Sequence, residues 1–143
     1  MENKKSLVFE ILKTFHDTGL LNELILIGSW CQIFYKQILS GELPALRTQD
    51  IDFLIPKPNS IKISIDVPKL LEKHGFREVI NNHNGLAKYS HPELELEFLA
   101  PEKGRGTDKP VMIKKLNINA VKLRYLNLLQ SFPIDVEYKD IKL

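Results

Sequence analysis

The chain has 143 residues, of which 43% are hydrophobic and 27% charged, and these proportions are typical of a globular domain rather than a disordered segment. Its 20 basic and 18 acidic side chains give a formal net charge of +2, which excludes a general polycationic surface for nucleic acid. With one cysteine, Cys31, no signal peptide and no apolar run of membrane-spanning length, we expect residues 1–143 to form a single cytoplasmic domain without a membrane partner.

The first elements predicted along the chain are a helix, a short strand and a second helix. The apolar residues of the first segment recur at the spacing of one helix face: Leu7, Val8, Ile11, Leu12 and Phe15. Gly19 is the expected end of this helix. The apolar run at 24–27 predicts a strand that ends at Gly28 and Ser29. Helical spacing then returns in Trp30, Ile33, Phe34 and Ile38.

The turn at Gly28 and Ser29 has two interpretations. Glycine lets a ligand approach the backbone, serine can cap a helix or bind a phosphate oxygen, and a helix N-terminus favours anions. The pair can equally serve only to turn the chain and cap the helix. It is not a P-loop, because no Gly-Lys-Ser or Gly-Lys-Thr follows.

The segment 47–56 predicts a strand with an acidic face. Asp50 and Asp52 alternate with apolar residues, and a strand sends alternate side chains to opposite faces, so the two carboxylates share a face. Their mutual repulsion would be relieved by a divalent cation, although a surface strand with an acidic face is also common. Because a helix separates this strand from the one at 24–27, we expect the two strands to be neighbours in one sheet.

A second acidic strand is predicted downstream. The elements before it are a loop over 57–65, a helix capped by Asp66 and ending at Gly75, and a hairpin with strands at 76–80 and 86–90. The segment 94–99 alternates strictly and places Glu95 and Glu97 on one face. Either glutamate can join the aspartates, or both can form an exposed pair on a half-buried strand.

The last third of the chain predicts a loop, a helix and a strand. Glycines beside basic residues in 101–110 form either a phosphate-reaching loop or an ordinary surface loop. A helix that packs on the sheet is predicted from the spacing of Ile118, Val121, Tyr125, Leu128 and Leu129, and a strand from Ile134, Val136 and Tyr138. Asp135 and Glu137 in that strand are rival acids. The end at Leu143, inside a strand-like pattern, favours the N-terminal domain of a longer protein.

An apolar strand ending in Gly28-Ser29, a helix and the strand with Asp50-Ile51-Asp52 together resemble the DNA polymerase beta-like nucleotidyltransferase superfamily. The longer string from Arg47 to Ile55 resembles its stand-alone prokaryotic members. The resemblance covers residues 24–99 and implies an α+β (α/β) nucleotidyltransferase fold, with a mixed β-sheet flanked by helices. The interval between Ser29 and Asp50 is longer than in the smallest members, which implies that its loop covers or reshapes the site.

The resemblance also implies a site and a reaction. Gly28 and Ser29 would hold a triphosphate, Asp50 and Asp52 would bind two Mg²⁺ or Mn²⁺ ions, and a third carboxylate would complete the metal site. We expect that third carboxylate to be Glu97, with Glu95 as the fallback. Arg47 either neutralises the pyrophosphate or is an ordinary surface charge.

The implied function is metal-dependent transfer of a nucleoside monophosphate from a nucleoside triphosphate to an acceptor hydroxyl, with release of pyrophosphate. The sequence does not identify the acceptor, and its charge gives no reason to name nucleic acid. One alternative is an inert module of the same fold that binds a nucleotide or a protein partner in a defence or toxin-type system. Another is a hydrolase that acts on phosphoesters.

Overall fold

The computed structural model describes residues 2–31, 49–83, 85–102, 110–123, 137–138 and 141–142. In chain order its elements are α1 (Glu2–Asp17), β1 (Ile25–Ile27), β2 (Asp50–Leu54), α2 (Val67–Glu72), β3 (Arg77–Ile80), β4 (Ala87–Ser90), β5 (Glu95–Pro101), β6 (Val111–Ile113), β7 (Ile118–Leu123), β8 (Glu137–Tyr138) and β9 (Ile141–Lys142). Short 3-10 turns cover Leu20–Glu23 and Ser29–Cys31. Within this described part of the chain, no helix combines the length and apolar character needed to cross a membrane.

Seven of the described strands form one mixed sheet. Its main path runs β1-β2-β5-β4-β3, and β7 pairs with both β5 and β6. The β2–β5 and β5–β7 pairs are parallel, and the other pairs are antiparallel. Strand β5 divides its length between two neighbours, since Glu95 and Leu96 pair with β4 while Leu99 to Pro101 pair with β7. The predicted α+β class with a mixed sheet is confirmed.

The helix boundaries follow the sequence signals. Helix α1 ends before Gly19, whose φ of 82° lies in the left-handed region that glycine adopts without strain. Helix α2 begins after Asp66, whose side chain accepts a hydrogen bond from the backbone N–H of Lys69 at 3.3 Å. Pro68 occupies the first turn of α2, where its missing N–H costs nothing. The predictions of α1 and α2 are therefore confirmed, whereas the helix predicted over 30–38 lies, beyond Cys31, outside the described residues.

The main core cluster lies on one face of the sheet, and a smaller one around Leu54 and Leu99 lies on the opposite face. In β2 and β5 the residues that alternate with the acids are fully buried, and two of them, Phe53 and Phe98, stack with ring centroids 6.0 Å apart. Phe15 of α1 meets Phe53 edge-on at 5.4 Å, and Tyr89 of β4 meets Phe98 edge-on at 5.8 Å. This aromatic cluster joins α1 to three adjacent strands and fixes the acidic residues on the opposite face of the sheet.

The predicted helix from Ile118 onward is wrong over its first six residues, which form β7. Asn117 has a φ of 54° and reverses the chain in a tight turn after β6. The following residues alternate in burial, with Ile118 and Ala120 buried and Asn119 half-buried, as a strand requires. Pairing with both β5 and β6 therefore outweighs the helical spacing of the apolar residues. Residues 124–130 lie outside the described part, and of the predicted strand at 134–138 only β8 is described.

Candidate active site

Four carboxylates lie on one face of the sheet, in two neighbouring parallel strands. Asp50 of β2 is in register with Glu95 of β5, and Asp52 is in register with Glu97. Residues paired across adjacent strands point to the same face, and residues two apart along one strand do so as well. The predictions that Asp50 and Asp52 share a face and that Glu95 and Glu97 share a face are confirmed. The four acids thus form a grid of two by two.

The Gly28 turn lies directly beside this grid. Strand β1 is antiparallel to β2, and Ile27 is in register with Asp52. Gly28 has a φ of 80°, and a Cβ atom placed on it would lie 3.3 Å from Oδ2 of Asp52. The two strands are neighbours, as expected, and the turn opens onto the Asp52 carboxylate. The backbone of Ser29 begins a 3-10 turn at this point, and the contact expected of its hydroxyl stays a prediction.

A lysine faces two of the acids. The Nζ atom of Lys88 on β4 lies 3.3 Å from Oε1 of Glu97 and 3.8 Å from Oε2 of Glu95. Tyr89 pairs with Leu96, so Lys88 stands beside Glu97 across the strands. Lys88 was not among the site residues predicted from the sequence. Side chains alternate between the two faces of β4, and Ala87 and Tyr89 are buried on the core face. This alternation places Lys88, which lies between them, on the face that carries the acids.

The acids perturb one another's ionisation. Burial raises the pKa of Asp52 to about 6, and the charges of Glu97 and then Asp50 add to this rise, while Lys88 opposes it. The charge of Glu97 is the main reason that the pKa of Lys88 lies above its usual value. Glu97 and Asp52 are therefore electrostatically coupled, with the lysine supplying partial compensation. A carboxylate with a perturbed pKa among like charges is typical of functional sites.

The raised pKa of Asp52 predicts that replacing this residue with asparagine has a pH-dependent effect on stability. The folded chain holds the Asp52 proton up to about pH 6, whereas an unfolded aspartate releases it near pH 4. The stability conferred by this proton is therefore complete below about pH 4 and is lost as the pH rises through about 6.

Solvent screens this half-buried group, so we expect Asp52→Asn to raise the free energy of unfolding by about 1 kcal/mol at pH 8 and by much less at pH 4. Urea unfolding with a chelator at the two pH values measures the difference. Equal effects at both values would contradict the assigned pKa.

The donor set at the grid suits a hard divalent cation, because carboxylate oxygens are preferred by magnesium and manganese. Like charges that repel one another supply a further reason for a cation there. Across the described residues, however, no group of three or more His, Cys, Asp or Glu side chains is already arranged to hold a metal ion. Metal binding by Asp50, Asp52 and Glu97 therefore stays a prediction. To bind an ion together, these three side chains would have to reorient around it.

Some of the predicted site residues lie outside the described part of the chain. They are Arg47, the basic residues of the 103–109 loop, and the rival acid Asp135. The other rival, Glu137, belongs to β8, which pairs with β9 in a separate two-stranded sheet of the described residues. Cys31 is a poor candidate nucleophile, because burial raises the pKa of its thiol to about 11 and its Sγ donates a hydrogen bond to the Leu26 carbonyl.

Comparison with known families agrees with this geometry. A family model described as Nucleotidyltransferase matches residues 6–139, which include every strand of the sheet and all four acids of the grid. Neither the search of curated proteins nor the search of solved structures gave a match. The family match extends well beyond the 24–99 segment that carries the resemblance and covers most of the chain. The protein therefore belongs to this nucleotidyltransferase family.

Proposed function

We propose that the protein is a metal-dependent nucleotidyltransferase that moves a nucleoside monophosphate from a nucleoside triphosphate to an acceptor hydroxyl. The observation that carries the proposal is the acid grid beside the Gly28 turn. Asp52 is in register with Glu97 on the neighbouring strand. Its carboxylate also lies beside Gly28, at the position where a side chain on that residue would stand. The carboxylates that would bind metal are therefore adjacent to the turn that would bind phosphate, and nucleotidyl transfer requires both kinds of site close together.

In this proposal Asp50, Asp52 and Glu97 hold Mg²⁺ or Mn²⁺. Glu97 is favoured over Glu95 because it lies in register with Asp52 and because its charge raises the pKa of that residue. Its side chain is also the more sheltered, with 25% of its surface exposed against 44% for Glu95. When bound, the two ions supply positive charge to the oxygens that become negative during transfer.

The reaction forms one bond and breaks another at the α-phosphorus. The acceptor oxygen bonds to the α-phosphorus, the bond from this phosphorus to the bridging oxygen breaks, and pyrophosphate leaves with the bonding electrons. The acceptor proton passes to a base, for which Glu97 is the proposed group because it borders the site on the strand next to Asp52. Gly28 and Ser29 would bind the β- and γ-phosphates, and Arg47 would neutralise the pyrophosphate.

The test is a screen of the four ribonucleoside triphosphates, each labelled at the α-phosphate, with Mg²⁺ or Mn²⁺. Mass spectrometry of the protein and of candidate acceptors then detects an added nucleotide. We expect label on an acceptor with at least one triphosphate and none in the presence of a chelator. Release of phosphate or nucleotide without a modified acceptor would point to phosphoester hydrolysis, and no product under any condition contradicts the proposal.

A second candidate function is an inert module that keeps the fold to bind a nucleotide or a protein partner. The observation in its favour is the ion pair of Lys88 with Glu97, which places an ammonium group on the acid proposed to bind metal. Triphosphate binding measured by calorimetry separates the two candidates. A module of this kind binds its nucleotide equally well with metal and with chelator, whereas the enzyme requires metal.

Gly28 offers a test of the turn with a matched control. Gly28→Ala forces a left-handed backbone on alanine, which costs about 1 kcal/mol, and it also brings a methyl group against Asp52 Oδ2. Gly85→Ala imposes the same backbone strain at a φ of 71° but, among the described residues, meets only Pro110 at an ordinary 3.6 Å. We expect similar losses of stability in urea unfolding and a loss of nucleotide transfer only in Gly28→Ala. Equal transfer by the two variants would count against a role for the turn.

A further inference from the structure

Lys88 is the cation that the described structure places on the acid grid. Its Nζ atom lies within 4 Å of both Glu97 and Glu95, and it also interacts electrostatically with Asp50. Strand pairing fixes its backbone beside Glu97, so the contact does not depend on a mobile loop. The lysine therefore lies where it can neutralise the carboxylates from the β4 side of the sheet.

Lys88 brings one positive charge to this cluster of carboxylates. Four carboxylates share one face of β2 and β5, so with all of them ionised the grid and Lys88 together carry a net charge of −3. A divalent cation that approaches Glu97 competes with the lysine for the same oxygens. Because two cations so close repel each other, the lysine must lower the affinity of the site for a metal ion while it remains on Glu97.

We propose that Lys88 is a positioning residue that holds Glu97 in the metal-free protein and releases it when a metal-bound triphosphate enters. This inference rests on the proposed function. A bare metal ion must displace the lysine without giving it a new partner. A triphosphate supplies phosphate oxygens to which the released ammonium can bind, so metal and nucleotide should bind cooperatively.

The test measures Mn²⁺ affinity directly, from the electron paramagnetic resonance signal of free Mn²⁺, in protein without nucleotide. We expect Lys88→Met to bind Mn²⁺ about tenfold more tightly than the wild type, because removal of the competing ammonium frees Glu97. Lys88→Arg, which keeps the charge, should bind Mn²⁺ as weakly as the wild type. Lys69→Met, which removes an exposed lysine on α2, is the control for a change in net charge.

Each outcome of this titration has a separate meaning. If the wild type binds Mn²⁺ and Lys88→Met binds it no more tightly, the role of Lys88 is wrong while the proposed function stands. If no variant binds Mn²⁺, and calorimetry detects no binding of a triphosphate with Mn²⁺ present, both are overturned. Thermal unfolding monitors whether Lys88→Met folds, and Lys88→Gln, which retains a polar side chain, replaces it in the titration if it does not.

Discussion

Asp52→Asn is expected to lower nucleotide transfer by about 10³-fold, because it removes a proposed metal ligand at the centre of the acid grid. A bound metal ion stabilises transition-state charge by several kcal/mol, and a loss of about 4 kcal/mol corresponds to a factor of about 10³ in rate. Asparagine has nearly the same shape as aspartate, so the fold should persist. The measurement is the initial rate of label transfer from an α-labelled triphosphate at saturating metal.

The control for this experiment is Glu72→Gln, which removes an exposed carboxylate from α2 and should leave the rate unchanged.

Two further variants identify the third acid. Glu97→Gln should reduce transfer about as severely as Asp52→Asn, whereas Glu95→Gln should retain most of the activity. A reversed order would assign the third position to Glu95, and transfer that survives Asp52→Asn would refute the catalytic assignment.

Phe98→Ala is expected to lower the free energy of unfolding by about 3–5 kcal/mol, the usual loss when a fully buried phenylalanine becomes alanine. Phe98 is 1% exposed and contacts aromatic rings from α1, β2 and β4, at centroid distances between 5.8 and 6.4 Å. The cavity would lie directly behind Glu97, which is the preceding residue. Because a domain of this size has only about 5–15 kcal/mol of stability, the variant should be close to unfolding.

Urea unfolding of the metal-free protein measures this loss. Met112→Ala on β6 is the control, because its side chain is 47% exposed and its removal should change the free energy of unfolding by no more than about 0.5 kcal/mol. A loss below about 1 kcal/mol for Phe98→Ala would mean that the aromatic cluster does not hold β5 against α1.

Local patterns in the sequence predicted the elements whose signals lie within a few residues. Alternation correctly placed Asp50 and Asp52 on one face, and a capping residue with a terminal glycine marked α2. The closeness of Gly28 to Asp52 followed from the expectation that consecutive strands are neighbours. These features depend on the periodicity of apolar and polar residues or on short connections between elements. Both can be recognised in the sequence without the tertiary structure.

The features that sequence reasoning missed depend on pairing between distant segments. The apolar residues of β7 fit both the spacing of a helix and the alternation of a strand. Pairing of this segment with β5 and β6 makes it a strand. Likewise, alternation places Lys88 on the face opposite the buried Ala87 and Tyr89 but does not mark it as functional. Its importance comes from the pairing of β4 beside β5, which no spacing within the chain specifies.

The register between β2 and β5 has a consequence for folding as well as for the site. Phe53 pairs with Phe98 and Asp52 with Glu97 in the same parallel ladder. A slip of β5 by one residue would turn Glu95 and Glu97 into the apolar interior and expose Leu96 and Phe98, which alternate with them. Burial of two unpaired carboxylates is so unfavourable that misaligned intermediates should be short-lived. The acids would thus disfavour misaligned pairing of β5 during assembly of the sheet, whether or not the mature protein has bound a ligand.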